Sequence, residues 1–330
     1  DKFKVLLLRN SGQDWSKTMF RDGLMQSLVA PLETLDTQGY QPCLVYINGN
    51  YWGIHNIRER YDESYLALAY GVDEEDVVIL EGTGTIDVGS SMDENEYEEM
   101  LDFIEANSLR DDRNYAYIEG LMDTENYIDY NISHTYFGNH DWPSNNVRFW
   151  KVKSDEERDR SLRGHDGRWR WMIFDTDAGF GWGSDSEDRL GRLKDYSHNT
   201  IDWIMAEKDG RLGTRTWPNF LVRSLMDNEG FRMAFINRYN DLLNSYFSPG
   251  HVISQIDKMK DLIEPEMPNH IERWGAIGSM EEWEANIDIM RTFALERPDY
   301  IRSHLRDEFS LEDQINLTLD LDPSMGYVQV

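Results

Sequence analysis

The chain has a single cysteine, Cys43, in 330 residues. One thiol cannot close an intramolecular disulfide or build a Cys-based zinc site, and it leaves the compartment open. Basic residues are scarce: 33 Lys and Arg stand against 62 Asp and Glu, a formal net charge of −29. A nucleic-acid partner needs a basic face for phosphates, so this balance argues against one, and against anionic membrane surfaces. No run of about 18 apolar residues occurs, so no membrane span is expected. No secretory signal is present, yet a strand is already under way at Phe3, so we expect the natural chain to start upstream of Asp1. No internal repeat is found.

Aromatic residues are plentiful, at 12%, with 11 Trp and 17 Tyr. That composition builds a core and is not that of a disordered chain. The length suffices for one large or two smaller domains. The acidic excess reads first as solubility in a salty or calcium-rich medium. It also sets a condition on any ATP site: local Arg residues and bound cations must offset the field.

Residues 3–9 read as a strand, and a helix is expected from about Ser16 to Ala30, capped by Asp14 or Ser16. Phe20, Leu24 and Leu28 give that helix a buried stripe; Arg21 and Asp22 beside it are expected to face solvent. Cys43–Ile47 and Tyr51–Ile57 flank Asn48-Gly49, the strongest hairpin turn signal in the chain. A short helix follows over Glu63–Tyr70. Residues 71–98, acidic and rich in Gly and Ser, read as a surface insertion. Helices are expected at about 95–106 and 124–137, and His134 on the second reads as a core or edge histidine. After a loop-like stretch, 184–216, Phe231, Phe235, Tyr239, Leu242 and Tyr246 mark a helix ended by Pro249-Gly250. Further helices are expected at 251–264, 267–274, 279–295 and 298–307. The alternation from Ile315 to Val330 reads as the start of a β-module.

The chemistry concentrates in residues 137–183. Asp141 and Asn146 precede the apolar run Val147–Trp150; Asp175 and Asp177 follow the run Trp169–Phe174. The polar segment from Lys153 to Gly167 between them reads as a hairpin loop, which brings both clusters to one end of the hairpin. Carboxylates with an amide oxygen suit a hard cation such as Mg²⁺. An Asp, an Asn five residues on, a strand, and a later Asp beside Gly follow the order of parts in protein kinases. Here His140 is adjacent to Asp141 rather than two residues before it. On spacing alone the bland reading, turn residues and strand-end caps, weighs about the same.

Other readings of these letters are weaker. Gly138-Asn139-His140-Asp141 looks like a calcineurin-type phosphatase loop, but no Asp-x-His stands upstream. Asp175-Thr176-Asp177 matches the D-x-D clamp of glycosyltransferases without an alternating βαβ pattern before it. The charge of −29 and the C-terminal alternation motivate a non-catalytic surface scaffold that binds Ca²⁺ at acidic clusters.

Several motifs occur together in one order: Leu8-Arg9-Asn10-Ser11-Gly12 with Asp14, Phe20-Arg21-Asp22, Tyr46 to Ile54, Asn56-Ile57-Arg58-Glu59-Arg60, Asn139 to Asn146, and Trp171 to Phe180. In these the chain resembles the CotH family, the spore-coat-protein-H-like atypical kinases, and its larger secreted bacterial members. The resemblance runs to about Phe309. It implies an α+β, two-lobed, kinase-like fold: a small lobe with a hairpin and one helix over residues 1–62 and a mostly helical large lobe over 63–310; the β-module over 311–330 comes from the alternation alone. It implies ATP with Mg²⁺ or Mn²⁺ (Ca²⁺ being possible), a protein Ser or Thr acceptor, and a secreted or cell-surface location. Asp141 becomes the catalytic Asp; Asn146 with Asp175 or Asp177 hold metal; Arg58, Glu59 and Arg60 lie at the hinge edge; Arg9 and Arg21 could meet phosphate. A monomer is expected. Family members usually carry a Lys-bearing strand before the Leu-Arg-Asn segment, and this sequence begins after it.

Overall fold

The computed structural model describes residues 4–153, 161–187, 193–206, 219–312 and 315. The fold is mixed α+β. Strand β1 (Leu6–Arg9) leads through a 3-10 turn (Gly12–Ser16) to helix α1 (Arg21–Val29). The helix starts later than its stripe predicts because Asp14 is not its N-cap. Instead the buried Asp14 carboxylate accepts from Thr18 N and Arg21 N and folds the turn under the helix. Phe20, Leu24 and Leu28 are buried as their spacing requires. Arg21 and Asp22 are buried too, against the expectation that they face solvent. Each meets an opposite charge, which is what makes burial tolerable.

Strands β2 (Tyr40–Ile47) and β3 (Asn50–Glu59) form the hairpin, with Asn48 and Gly49 both at positive φ. β1 adds to β3, giving an antiparallel sheet in the order β1-β3-β2. The register pairs Leu7 with Arg58 and Arg9 with Asn56, so Arg9, Asn56 and Arg58 share one face. Helix α1 lies under that face: Arg58 reaches Asp22 on it.

The second sheet has the order β5-β4-β6-β7, from α2 (Glu63–Tyr70) onward: β4 (Val77–Glu81), β5 (Thr85–Val88), β6 (Arg148–Val152) and β7 (Arg170–Trp171). The region expected to be a surface insertion therefore supplies the central strand. Val77, Val78, Ile79 and Leu80 are all buried, the unbroken apolar run of a strand covered on both faces. The acidic neighbours of that run hid it. β6 and β7 pair antiparallel, Phe149 opposite Trp171, so the expected hairpin forms.

Helices α3 (Ser91–Ala106) and α5 (Thr124–Phe137) pack beside this sheet, with α4 (Asp112–Glu119) between them in the chain, followed by α6 (Thr200–Met205), α7 (Asn219–Met226), α8 (Glu229–Asn244), α9 (Pro249–Ile263), α10 (Met267–Trp274) and α11 (Met280–Phe309). α4 was not expected, and α6 forms inside the stretch read as loop. Pro249-Gly250 opens α9 rather than closing α8, as Pro is tolerated in a first helical turn. α11 runs unbroken through Pro298 where two helices were expected. Almost all of the C-terminal alternation, 316–330, lies outside the described residues, as does part of the 184–216 stretch. No described helix is long and apolar enough to cross a membrane.

The hairpin is held to α10 at Gly53, which has φ +116°. A Cβ there would lie 2.8 Å from His270 Nδ1 and 2.9 Å from Trp274 Nε1. His270 Nδ1 accepts from the Ile54 N–H (3.1 Å), and Trp274 Nε1 donates to Trp52 O (2.7 Å). Gly53→Ala strains the backbone and breaks both bonds. We expect a loss of about 2–3 kcal/mol in urea unfolding, with the linear slope unchanged.

Candidate active site

Two turns and one arginine bring the acidic clusters together. The first turn follows α5. Gly138 ends that helix in the left-handed conformation, and Asn139 N donates back to His134 O. Asp141 then sits between two amides: Asn145 Nδ2 donates to its Oδ1 (2.8 Å) and Asn146 Nδ2 to its Oδ2 (3.1 Å). Asn146, at φ +58°, leads into β6. The second turn follows β7. Asp175 has φ +48°, and its carbonyl accepts from Asn146 Nδ2 (3.3 Å). One amide thus bridges Asp141 and the Asp175 backbone. Asp and Asn tolerate this left-handed region better than most residues, which explains their use at both turns.

Arg9 reaches in from β1. Its Nη2 donates to Asp175 Oδ1 and, at 3.0 Å, to Asp177 Oδ2. Gln13 N also donates to Asp177 Oδ2 (2.9 Å). Burial pushes the Asp177 carboxyl up to about 7, with the neighbouring Asp175 charge adding to it, against Arg9 and the Gln13 amide. Burial draws the Arg9 guanidinium down, but Asp22 and Asp175 outweigh it and hold it above its ordinary value. Two carboxylates this close favour one proton or one cation between them.

Behind Arg9 lies Asp22, which sequence reasoning left unassigned. Its Oδ1 accepts from Thr176 N (2.8 Å) and Thr176 Oγ1 (2.9 Å), and its Oδ2 pairs with Arg58 Nη1 and approaches Arg9 Nη1 at 3.9 Å. Burial works to raise its pKa, yet Arg58, Arg9 and the Thr176 donors hold it well below the usual carboxylate range. Asp22 therefore orients the residue between Asp175 and Asp177. The available signal was a charge on the apolar stripe of α1.

The other sequence-chosen residues divide. Arg21 does not face the site as a phosphate group would need. Its Nε bonds Asp14 (3.1 Å) and its Nη1 donates to the carbonyls of Gly179 (3.2 Å) and Phe180. Buried and committed, it fixes the loop after Asp177. Arg58 is likewise buried, donating also to Gly39 O and Gln38 O, so it is no hinge-surface group. Glu59 accepts from Gly39 N (2.8 Å). Arg60 is exposed, with Asp62 at 3.8 Å. His134 is fully buried, in keeping with its reading as a core histidine.

The pattern described as CotH kinase protein matches residues 2–301. The chain belongs to the CotH kinase family. No curated protein matches it. In this CotH chain the named strands pair antiparallel throughout, so among the described residues no βαβ nucleotide domain leads into Asp175.

Two carboxylates and an amide oxygen are donors of the kind that Mg²⁺ or Mn²⁺ takes. Asp175, Asp177 and Asn146 offer hard oxygens, and Arg9 bridges the two carboxylates in this structure. Among the described residues no three His, Cys, Asp or Glu side chains group to hold a metal by themselves. Mg²⁺ commonly takes one or two carboxylates and completes its shell from phosphates and water, whereas Ca²⁺ asks for six to eight oxygens.

Proposed function

We propose that this CotH chain transfers the γ-phosphoryl group of ATP to a Ser or Thr hydroxyl of a protein, with Mg²⁺ or Mn²⁺. One observation carries the reading: a single bonded cluster joins Asp141, Asn146, Asp175, Asp177 and Arg9. In the reaction the acceptor oxygen bonds phosphorus, the bond from the γ-phosphorus to the bridging oxygen breaks, and the hydroxyl proton goes to the Asp141 carboxylate. Asn145 and Asn146 fix both Asp141 oxygens, so the carboxylate is aimed before substrate arrives. Asp175, Asp177 and Asn146 would hold the cation, whose charge screens the phosphates. Arg9, bonded to Asp175 and Asp177, brings a cation of the chain to the same cluster. Arg60, the exposed hinge-edge base, is available to the nucleotide; Arg21 and Arg58 support the loops instead.

The reading extends to a two-lobed kinase-like arrangement. The three-stranded sheet with α1, residues 1–62, forms the small lobe, and 63–310 the large one. A secreted or surface location rests on the family resemblance, a β-module over 311–330 on the alternation from Ile315 to Val330, and a monomeric state is expected with them.

The test is thermal shift with ATP, with and without Mg²⁺ or Mn²⁺, on the wild type and on Asp175→Ala and Asp177→Ala. A ligand that binds only the folded state raises its apparent stability. We expect a metal-dependent ATP shift that Asp177→Ala abolishes. A shift with Ca²⁺ alone and none with ATP would sink the proposal.

Proton linkage gives a second measurement. Asp177, raised to about 7, holds its proton over part of the neutral range. A cation must displace that proton. Mn²⁺ affinity, titrated between pH 6 and 8, should therefore rise with pH and flatten above about 7.5. A flat profile would show that Asp177 is not the titrating ligand.

A further inference from the structure

Asp141 stands on a loop whose footing is a buried histidine. His134, in the last turn of α5, is fully buried. It touches the loop on both sides of Asp141. On the far side its ring stacks on Trp142, centroids 4.7 Å apart and planes at 5°. Trp142 is clamped in turn, its Nε1 donating to Tyr130 Oη at 2.9 Å. On the near side His134 Nδ1 lies 3.2 Å from Asn139 Nδ2.

The polarity of that last contact is fixed by the network. Asn139 Oδ1 accepts from the Asp141 N–H at 3.1 Å. The Asn139 amide nitrogen must then face His134, and a donor there needs an acceptor. His134 therefore keeps Nδ1 unprotonated and carries its proton on Nε2. Burial supports this neutral form by pulling its pKa down to about 3. Nε2 has no hydrogen-bond partner among the described residues. A buried donor left unpaired is costly, and a phenylalanine would stack on Trp142 without that cost. What phenylalanine cannot do is accept from Asn139.

We propose that His134, acting through Asn139, is a positioning residue for Asp141. The proposal rests on Asp141 being the acceptor-activating carboxylate, as argued above. The ring nitrogen fixes the Asn139 amide, Asn139 fixes the Asp141 backbone, and the stack on Trp142 fixes the chain beyond. Small misplacement of a reacting group is enough to lower turnover markedly.

The decisive variant is His134→Phe, which keeps the stack and removes only the acceptor. Two readouts are taken on the full chain. In phosphotransfer, kcat should fall about tenfold or more with KM for ATP unchanged, as expected for loss of orientation rather than binding. In the Asp141→Ala background the same change should have no further effect. In amide hydrogen exchange by NMR, the Asp141 N–H should exchange at least about tenfold faster while Ile132, within α5, is unmoved. Either readout unmoved by His134→Phe overturns the proposal, even with Asp141→Ala inactive and the Asp141 reading intact. Full transfer by Asp141→Ala overturns that reading and this proposal together. If His134→Phe unfolds, Asn139→Leu takes its place with the same two readouts and the same outcomes.

Discussion

Asp141→Ala is expected to lower phosphotransfer by about 10²–10⁴-fold, the usual worth of a positioned general base. The geometry says why the effect should lie in the chemical step. Among the described residues Asp141 makes no ion pair; its oxygens face two neutral amides, Asn145 and Asn146. Neutral donors orient a carboxylate without the counter-charge that an arginine would bring. Nucleotide and cation are proposed to sit on other groups, Asp175, Asp177, Asn146 and Arg9, and Asn146 keeps its bond to the Asp175 carbonyl, so the metal-dependent ATP shift should survive the substitution. Asp141→Asn is the sharper form of the test. It keeps size and shape but sets an amide against the amides of Asn145 and Asn146, and it cannot take a proton. Equal loss in the Ala and Asn variants, with the ATP shift retained, is the expected pattern. Loss of the ATP shift in either would mean that Asp141 serves the nucleotide, and unchanged transfer would remove it from the mechanism.

Much of the site was legible because it is built from local signals. Asn48-Gly49 fixes its hairpin by backbone conformation alone. Asp141, Asn146, Asp175 and Asp177 lie at the ends of apolar strands, where alternation and turn residues are visible in a short window. The parts that were missed depend on partners distant in sequence. Asp22 looks solvent-facing and Arg58 looks like a hinge-edge residue until each is seen to neutralise the other across 36 positions. Arg21 looks like a phosphate ligand until its guanidinium is found on the carbonyls of Gly179 and Phe180, more than 150 residues away. β4 was hidden by the acidic residues on both sides of Val77–Leu80, since composition averages over a window wider than a strand. α11 continues through Pro298 because its buried residues, from Trp283 to Leu305, hold both halves in one core. Propensity yields there to packing.

Acid should weaken the fold through its buried histidines. His134 and His140 are lowered to about 3, His134 by burial alone and His140 by burial first and then by His198 and Lys194. Both are neutral in the folded chain, whereas the unfolded chain takes up protons below about 6.5. Stability from these groups is present above that pH and is lost progressively down toward about 3. Urea midpoints should fall from pH 7 to pH 5: His270 and His304, lowered to about 4 by burial first, add to the fall, and the raised Asp177 opposes it as it takes up its proton. In His134→Phe the fall should be shallower, since one of these histidines no longer titrates.

Asp22→Ala is expected to be the most damaging single change to the fold near the site, at about 3–5 kcal/mol. Asp22 is the charge partner of Arg58, which is buried, and it stands 3.9 Å from Arg9. Removing it leaves Arg58 with two backbone carbonyls, Gly39 O and Gln38 O, and no counter-charge. It also strips both acceptor contacts from Thr176, so the residue between Asp175 and Asp177 loses its anchor. Stability and cation binding should therefore fall together. The two can be separated. Asp22→Asn keeps an oxygen for Thr176 but not the charge, so it should retain more of the ATP shift than its stability loss suggests. Adding Arg58→Met to Asp22→Ala removes the stranded cation and should recover part of the stability, because the penalty of an unpaired buried charge disappears with the charge. The ATP shift should stay low in that double variant, since Thr176 still has no acceptor. Recovery of both together would mean that Asp22 serves the site only through charge balance and not by holding the loop that carries Asp175 and Asp177.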